Sequence, residues 1–135
     1  MTSRHLVAGV ALVLVLVAIV AGLLIVGSPA GERARRLDER RIGALQSLSS
    51  MVDRYWMTRG RLPSSLAELA NDPRMNTDTK DPQTQREYGY RVVTDRKYEL
   101  CANFDRETDD DLVPPFWKHG AGRRCFEIET ESPGK

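Results

Sequence analysis

The stretch Leu6–Val26, LVAGVALVLVLVAIVAGLLIV, is an uninterrupted run of 21 Leu, Val, Ile, Ala and Gly residues. A helix of this length, at 1.5 Å per residue, spans about 30 Å, which is the thickness of the hydrocarbon core of a bilayer. A helix in the core of a water-soluble protein usually has a polar face, and this run has none. The sequence therefore predicts a transmembrane helix over residues 6–27, preceded by a short tail of residues 1–5.

This run is longer than the apolar segment of a secretory signal peptide, which usually has about 7–15 residues. An uncleaved anchor is therefore the favoured interpretation. Ser28-Pro29-Ala30 places small residues at the spacing that signal peptidase recognises, so a cleaved signal is the alternative. No cysteine follows the run directly, which excludes a lipoprotein anchor.

The rest of the chain has a balanced charge. The 135 residues include 20 Lys and Arg and 19 Asp and Glu, and Arg4 is the only charged residue before Glu32. Residues 28–135 thus carry 19 charges of each sign, without the concentrated cationic surface that nucleic acid binding requires. The length leaves room for one small domain. We expect a tethered domain that binds the lipid bilayer, with no nucleic acid and no evident small-molecule substrate as partners.

Two signals disagree about the side of the membrane on which this domain lies. Five arginines follow the apolar run: Arg33, Arg35, Arg36, Arg40 and Arg41. By the positive-inside rule they favour a cytoplasmic domain. They also fit a second interpretation, a basic stripe in contact with anionic lipid headgroups. Because Cys101 and Cys125 favour an oxidising compartment, we favour the inner membrane with the C-terminal domain in the periplasm.

A second helix follows a break at Gly27. Ser28 is a good cap for a helix N-terminus, and Pro29 suits the first helical position. Residues 28–43 are polar on nearly all sides and predict a helical juxtamembrane spacer. Beyond them, apolar residues recur at helical spacing at Leu45, Leu48, Val52 and Tyr55. Gly60 has the position of a C-terminal cap, so this amphipathic helix is expected to end near Thr58.

The connection between this helix and the later strands contains one short predicted helix. Ser65 and Glu68 have the spacing of a capping box, which predicts about two turns that include Leu66 and Leu69. Residues 71–87 are polar and rich in turn-forming residues, and they predict a loop.

The second half of the chain predicts a small antiparallel sheet. Apolar residues alternate with polar ones in three segments, as in strands with one buried face. The apolar positions are Tyr88, Tyr90 and Val92, then Tyr98, Leu100, Ala102 and Phe104, then Phe126 and Ile128. The predicted fold class is α+β: a long helix packed on a three-stranded antiparallel sheet over residues 44–130, followed by a flexible tail of residues 131–135.

This layout resembles the type IV pilins and the pseudopilins of type II secretion. The matching residues are Tyr55, Gly60-Arg61-Leu62-Pro63, Leu66, Leu69, Asp81-Pro82 and Tyr88-Gly89-Tyr90. The resemblance implies a pilin-like fold, in which an N-terminal membrane helix continues into an amphipathic helix that packs on an antiparallel sheet. It implies an architecture and no particular activity.

The N-terminus differs from that family, because the prepilin-peptidase signature, with a glutamate five residues into the mature segment, is missing. Residues 27–129 are still more similar to a module attached to bacterial membrane proteins of unknown function. The shared segments are Gly27-Ser28-Pro29, Arg35-Arg36-Leu37-Asp38, Tyr98-Glu99-Leu100-Cys101, Trp117-Lys118-His119 and Cys125-Phe126.

Cys101 and Cys125 alternate with the aromatic positions of their strands, so both are expected on the outer face of the sheet. If these two strands are antiparallel neighbours, a cross-strand disulfide is geometrically available. Its closed loop of about 25 residues would stabilise the domain by about 3 kcal/mol on the chain-entropy model. Two reduced thiols are the alternative, and the spacing is too wide for a redox-active CxxC motif.

Five acidic residues crowd the predicted loop between the second and third strands: Asp105, Glu107, Asp109, Asp110 and Asp111. Oxygen ligands at alternate positions can hold Ca²⁺, and the resemblance to the major pseudopilins implies calcium in such a C-terminal loop. An EF-hand is excluded, because its sixth position would be Asp110 and its twelfth Phe116. We favour a solvated loop without a cofactor, with calcium binding as the alternative.

The sequence offers little for catalysis. It has two histidines and lacks a Gly-rich phosphate loop and a nucleophile motif. His119 lies near Cys125 in the sequence, but nothing in the pattern lowers the pKa of that thiol, so we expect a loop histidine bonded to backbone or water.

We therefore expect a membrane-anchored, pilin-like domain that is not an enzyme and that contacts another envelope protein. One alternative is a minor pseudopilin of a type II secretion or type IV pilus system. Another is a calcium-binding sensor domain built on the acidic loop.

Overall fold

The computed structural model describes residues 2–26, 28–73, 78–108 and 113–130. Its elements are the helices α1 (Thr2–Val26), α2 (Pro29–Arg59) and α3 (Leu66–Ala70), the strands β1 (Gly89–Val92), β2 (Lys97–Phe104) and β3 (Gly122–Glu129), and a 3-10 helix (Pro115–Trp117). The chain forms two compact units, Met1–Arg33 and Ala34–Lys135. We call the second unit the head domain.

The first unit consists mainly of α1, which is long and apolar enough to cross a membrane. Its large apolar side chains are exposed on all sides of the helix; Leu6 is 69% exposed, Val13 58% and Leu24 78%. No charged residue interrupts it between His5 and Val26. The helix therefore has the surface that a lipid environment requires and that water disfavours.

Helix α2 begins and ends as its sequence predicts. The Ser28 hydroxyl accepts a hydrogen bond from the N–H of Gly31 at 3.1 Å. At the other end, Gly60 has a φ of +68° and donates its N–H to the carbonyl of Trp56, which is the conformation that a glycine cap allows. The apolar stripe of this helix is buried as expected at Leu45, Leu48, Val52 and Tyr55, and Ile42, within the predicted spacer, is buried as well.

The packed part of α2 begins earlier than predicted. Asp38 and Arg41 are buried, although both lie within the segment 28–43 that was expected to be a solvated spacer. A helix burying only apolar residues would start to pack at Ile42. Here charged side chains with partners on other segments extend the packed face back to Asp38, by about one turn.

Helix α3 has one turn and a modified cap. The Ser65 hydroxyl accepts the N–H of Glu68, as predicted. The Glu68 carboxylate does not return to Ser65; it accepts the N–H of Ser64 at 2.7 Å and the hydroxyl of Ser64 at 2.9 Å. The helix ends after five residues, where Asn71 caps it, so it is present as predicted but shorter than the expected two turns.

The sheet is antiparallel in the order β1-β2-β3. The inner face of β2 is buried at Tyr98, Leu100, Ala102 and Phe104, as the alternation predicts. These residues form one core with the buried residues of α2, with Leu66 and Leu69, and with Phe126 of β3. Val92 is the register partner of Tyr98 and lies on the same face of the sheet, but it is 42% exposed. The end of β1 is therefore not covered by the core. The head domain is thus α+β, as predicted.

Candidate functional site

The Arg41 side chain is buried in the head domain and makes four side-chain hydrogen bonds. Its Nε donates to Asp81 Oδ2 at 2.6 Å, and its Nη1 donates to Asp38 Oδ1 at 2.8 Å and to Asp105 Oδ2 at 2.9 Å. Its Nη2 donates to Gln83 Oε1 at 2.8 Å. Only 2% of the side chain is exposed. We call Arg41, Asp38, Asp81 and Asp105 the Arg41 cluster.

Backbone N–H groups compensate the excess negative charge of this cluster. Asp38 accepts the N–H of Asp105 at 3.0 Å and that of Arg106 at 2.9 Å. Asp81 accepts the N–H groups of Gln83 and Thr84 through Oδ1. The cluster therefore joins α2, the turn after Asp81 and the segment after β2. Because every carboxylate in it has at least one strong donor, its first role is to hold these three segments together.

The electrostatics of the pair Arg41–Asp81 agree with this geometry. Burial alone lowers the pKa of the Arg41 guanidinium, but its hydrogen bonds with the three aspartates outweigh burial and raise this pKa. Burial raises the pKa of the Asp81 carboxyl, whereas Arg41 and the two backbone N–H groups lower it, and the net direction is down. Both groups thus stay charged at neutral pH.

This position of Arg41 corrects the prediction that it contacts lipid headgroups. A guanidinium with 2% exposure and four hydrogen bonds is not available to a phosphate. The other four predicted contact residues, Arg33, Arg35, Arg36 and Arg40, are exposed. Arg35 pairs with Glu39 at 2.5 Å along the helix. Their contact with lipid stays a prediction.

A cavity of about 510 Å³ adjoins the Arg41 cluster and is lined by Arg41, Asp81, Gln83, Tyr88 and Arg123, among others. The Tyr88 hydroxyl is buried there and has no hydrogen-bond partner among the described residues. Burial is the main cause that raises the pKa of Tyr88 to about 12, and the nearby Asp81 carboxylate acts in the same direction. At neutral pH this hydroxyl therefore keeps its proton.

The two cysteines face each other across β2 and β3. Cys101 is the register partner of Cys125, their Cα atoms are 4.0 Å apart, and their sulfur atoms lie at the bonding distance of 2.04 Å. The predicted cross-strand placement is confirmed. Cys101 is buried although it lies on the outer face. Gly89 of β1 is its register partner, and the Arg123 guanidinium lies 3.4 Å from the position that a Cβ of residue 89 would take. A Cβ at position 89 would lie 2.8 Å from that of Cys101, so glycine is required there.

The acidic loop is described only at its start. Asp105 pairs with Arg41, and Glu107 lines a cleft of about 520 Å³ beside α2. Asp109, Asp110 and Asp111 lie outside the described residues. One of the five predicted calcium ligands thus already has a cationic partner, and calcium binding by this loop stays a prediction.

His119 lines the same cleft and is buried to an extent that the sequence did not predict. Its ring stacks on Phe104 with a centroid distance of 3.6 Å, and its Nδ1 lies 3.2 Å from the carbonyl of Gly120. Its backbone exchanges two hydrogen bonds with Thr108. The predicted bond to backbone is confirmed, and within the described segments no hydrogen bond or ring contact joins His119 to Cys125. The residue anchors the loop end against the sheet.

The apolar segment after the acidic loop also docks on the sheet. The Trp117 ring lies 4.9 Å from that of Phe126, and the Phe116 ring lies 5.9 Å from it. Trp117 is half-buried, whereas Phe116 is 51% exposed. The segment therefore covers part of the core and leaves one aromatic side chain in solvent.

A second polar network lies at the far end of α2, around Glu68. The Tyr55 hydroxyl donates to Glu68 Oε1 at 2.5 Å, and Arg61 donates to the same oxygen at 2.6 Å. Arg61, Tyr55 and Ser64 hold the pKa of the Glu68 carboxyl well below its ordinary value. The Arg61 guanidinium also lies over the Tyr55 ring. We call Tyr55, Arg61, Ser64 and Glu68 the Glu68 network.

Comparison of the chain with known proteins identified no relative. No protein-family model, no curated protein and no solved structure matches the chain.

Proposed function

We propose that this chain is a single-pass protein of the bacterial inner membrane, with a pilin-like head domain in the periplasm that contacts another envelope protein and catalyses no reaction. The observation that carries the proposal is the surface of α1, which is apolar and exposed all around. Removing apolar surface from water gains about 25 cal/mol per Å². A bilayer is the environment that provides this gain along a helix of 25 residues.

The proposed side of the membrane rests on the cysteine pair. Cys101 and Cys125 are register partners on neighbouring strands, which allows a cross-strand disulfide, and disulfides are typical of an oxidising compartment such as the periplasm. The arginines after the apolar run favour the opposite orientation. Four of these five arginines remain as evidence for that orientation, because Arg41 is paired with aspartates inside the head domain.

The pilin-like assignment is supported by contacts among the residues that carry the resemblance. Tyr55 and Arg61 meet at Glu68, and the Tyr90 hydroxyl donates to the carbonyl of Pro63 at 2.8 Å. These contacts fasten the connection after α2 to both the helix and the sheet. The residues of this motif thus serve the architecture, which favours a structural role over a catalytic one.

The orientation is tested with reporter fusions at Lys135. An alkaline phosphatase fusion is expected to be active and a green fluorescent protein fusion dark. Deletion of residues 2–26 is the matched control, because it removes the anchor and is expected to reverse both signals. A fluorescent full-length fusion would contradict the periplasmic head.

The anchor itself is tested by the mass of the purified mature protein. An N-terminus at Met1 is expected for an uncleaved anchor. A mass that lacks α1 would indicate a cleaved signal, and a mass shortened by a few N-terminal residues would indicate processing as a pseudopilin.

A further inference from the structure

The two edges of the sheet are protected to different extents. At the β1 edge, the Tyr88 N–H donates to the carbonyl of Thr79 at 3.0 Å, so another segment covers the start of this short strand. Strand β3 has eight residues, and among the residues that the structure describes it pairs only with β2. Within the described parts of the chain, no backbone hydrogen bond reaches the outer edge of β3.

Three contacts establish which backbone groups of β3 point outward. The Thr130 N–H donates to the carbonyl of Arg96 at 2.9 Å, which continues the hydrogen-bonded pairs of the β2–β3 ladder. In the hairpin, the Val93 N–H donates to the carbonyl of Lys97, so the odd-numbered residues of β2 bond to β1 and its even-numbered residues are left to bond to β3. The Cα separation of 4.0 Å between Cys101 and Cys125 fits a closely spaced pair without hydrogen bonds.

Successive residues of a strand point their N–H and C=O groups to opposite sides, so one known hydrogen-bonded pair fixes the direction of these groups for every residue of β3. The residues whose N–H and C=O groups face β2 are Gly122, Arg124, Phe126 and Ile128. The residues whose N–H and C=O groups point away from the sheet are Arg123, Cys125, Glu127 and Glu129. An edge of this length with free backbone groups is a template for a further strand.

The charges along β3 select a partner strand. Arg123 and Arg124 lie at its start, and Glu127 and Glu129, which share Lys97 of β2 as an exposed partner, lie at its end. An antiparallel partner with the same sequence places the basic end of one strand opposite the acidic end of the other. With Phe126 opposite itself, Arg123 of each copy lies opposite Glu129 of the other, and all four outward residues form hydrogen-bonded pairs.

Apolar side chains beside this edge also favour a bound strand. Phe116 is 51% exposed and its ring lies 5.9 Å from Phe126, next to the edge strand. Ile128, on the same face of β3, is only partly buried. A strand added to β3 would bring its own inner-face side chains beside these residues and remove apolar surface from water.

We propose that β3 is the contact surface of a symmetric homodimer, in which the β3 strands of two copies pair antiparallel and form one continuous six-stranded sheet. About eight backbone hydrogen bonds join the copies. Two Arg123–Glu129 ion pairs join them as well when the Arg123 side chain turns from its position beside Gly89 toward the partner strand. The inference goes beyond the proposed function, and it does not depend on the side of the membrane that carries the head domain.

Charge reversal on the full-length protein in detergent tests this dimer. Arg123→Glu and Glu129→Arg each place like charges opposite each other and are expected to weaken self-association by about tenfold or more in sedimentation velocity. An equimolar mixture of the two variants is expected to form a heterodimer, since the charges are again complementary, and the double variant is expected to self-associate. Arg91→Glu is the control on the β1 edge and is expected to leave the dimer unchanged.

Amide hydrogen exchange locates the contact at β3. In the wild-type dimer, the amides of Arg123, Cys125, Glu127 and Glu129 are expected to be protected. In either single variant these four amides are expected to exchange fast, while those of Arg124, Phe126 and Ile128 stay protected by β2 and show that the fold is intact.

Two results would overturn the proposal. A dimer that neither charge reversal weakens would place the contact on another surface, such as α1. A wild-type chain that stays monomeric and exchanges the four outward amides fast would leave the edge of β3 to a strand of a different protein or to solvent.

Discussion

The Arg41 cluster and the Glu68 network both fasten α2 to the rest of the head domain, but they differ in burial. The Arg41 side chain is 2% exposed, whereas that of Arg61 is 56% exposed. Both networks contain short hydrogen bonds between an arginine and a carboxylate. Similar contact distances therefore do not imply similar stabilisation. An exposed ion stays hydrated when its partner is removed, whereas a buried ion has lost its water and is stabilised only by its partner.

The strongest test of this difference is the substitution Arg41→Met. It leaves the carboxylates of Asp38 and Asp81 buried without their cation, and the loss of one partner of a buried ion pair costs about 3–5 kcal/mol. Urea denaturation of the full chain, followed by the fluorescence of the half-buried Trp56 and Trp117, measures the change in unfolding free energy. The control is Arg40→Met on the exposed side of the same helix, and equal unfolding free energies for the two variants would contradict the buried role of Arg41.

The loss of stability on removing the Cys101–Cys125 pair can be compared with the losses expected for the two polar networks. Replacing Cys101 and Cys125 with serine is expected to cost about 3 kcal/mol, because the closed loop of 25 residues no longer restricts the unfolded chain. The wild-type protein should lose a similar amount in the presence of a reductant, in the same denaturation experiment. The serine variant is the control and should not respond to the reductant; a wild-type protein that also fails to respond would indicate reduced thiols.

Substitution of Glu68 by glutamine tests the exposed network, with an expected cost of about 1 kcal/mol at neutral pH. The folded-state pKa of Glu68 is depressed, so its contribution is complete above the unfolded pKa of about 4.5 and is lost as the pH falls toward the folded pKa. The difference in unfolding free energy between the wild type and Glu68→Gln should therefore shrink as the pH decreases below 4.5. A difference that stays constant down to pH 2 would exclude ionised Glu68 as the source.

The smallest effect is expected for Tyr88→Phe beside the Arg41 cluster. The Tyr88 hydroxyl has no partner within the described ranges, so its removal should leave stability within about 0.5 kcal/mol of the wild type or increase it slightly. The comparison variant is Tyr90→Phe, which loses the hydrogen bond to Pro63 and should cost about 1 kcal/mol. A larger loss for Tyr88→Phe than for Tyr90→Phe would indicate a partner such as an ordered water.

The elements that the sequence predicted correctly depend on local periodicity. The alternation of Tyr98, Leu100, Ala102 and Phe104 identified the buried face of β2, and it thereby placed Cys101 opposite that face. The helical spacing from Leu45 to Tyr55 identified the buried stripe of α2. These signals come from neighbours within two to four residues, so the sequence contains them in full.

The Arg41 cluster was missed because its partners are distant in the sequence. Asp81 and Asp105 lie 40 and 64 residues after Arg41. An arginine among other arginines on a polar helix is typical of a solvated surface, and only the i,i+3 spacing of Asp38 and Arg41 gave a local signal. The stacking of His119 on Phe104 was missed for the same reason.

By itself, the sequence determined an apolar helix long enough for a bilayer, an amphipathic helix and three amphipathic strands, because hydrophobic periodicity reports burial along one element. Only the tertiary structure decided which charges lie inside, which edge of the sheet is open and which polar groups have partners. These properties depend on contacts between segments, and a buried charge is stable only where the fold brings its counter-charge to it.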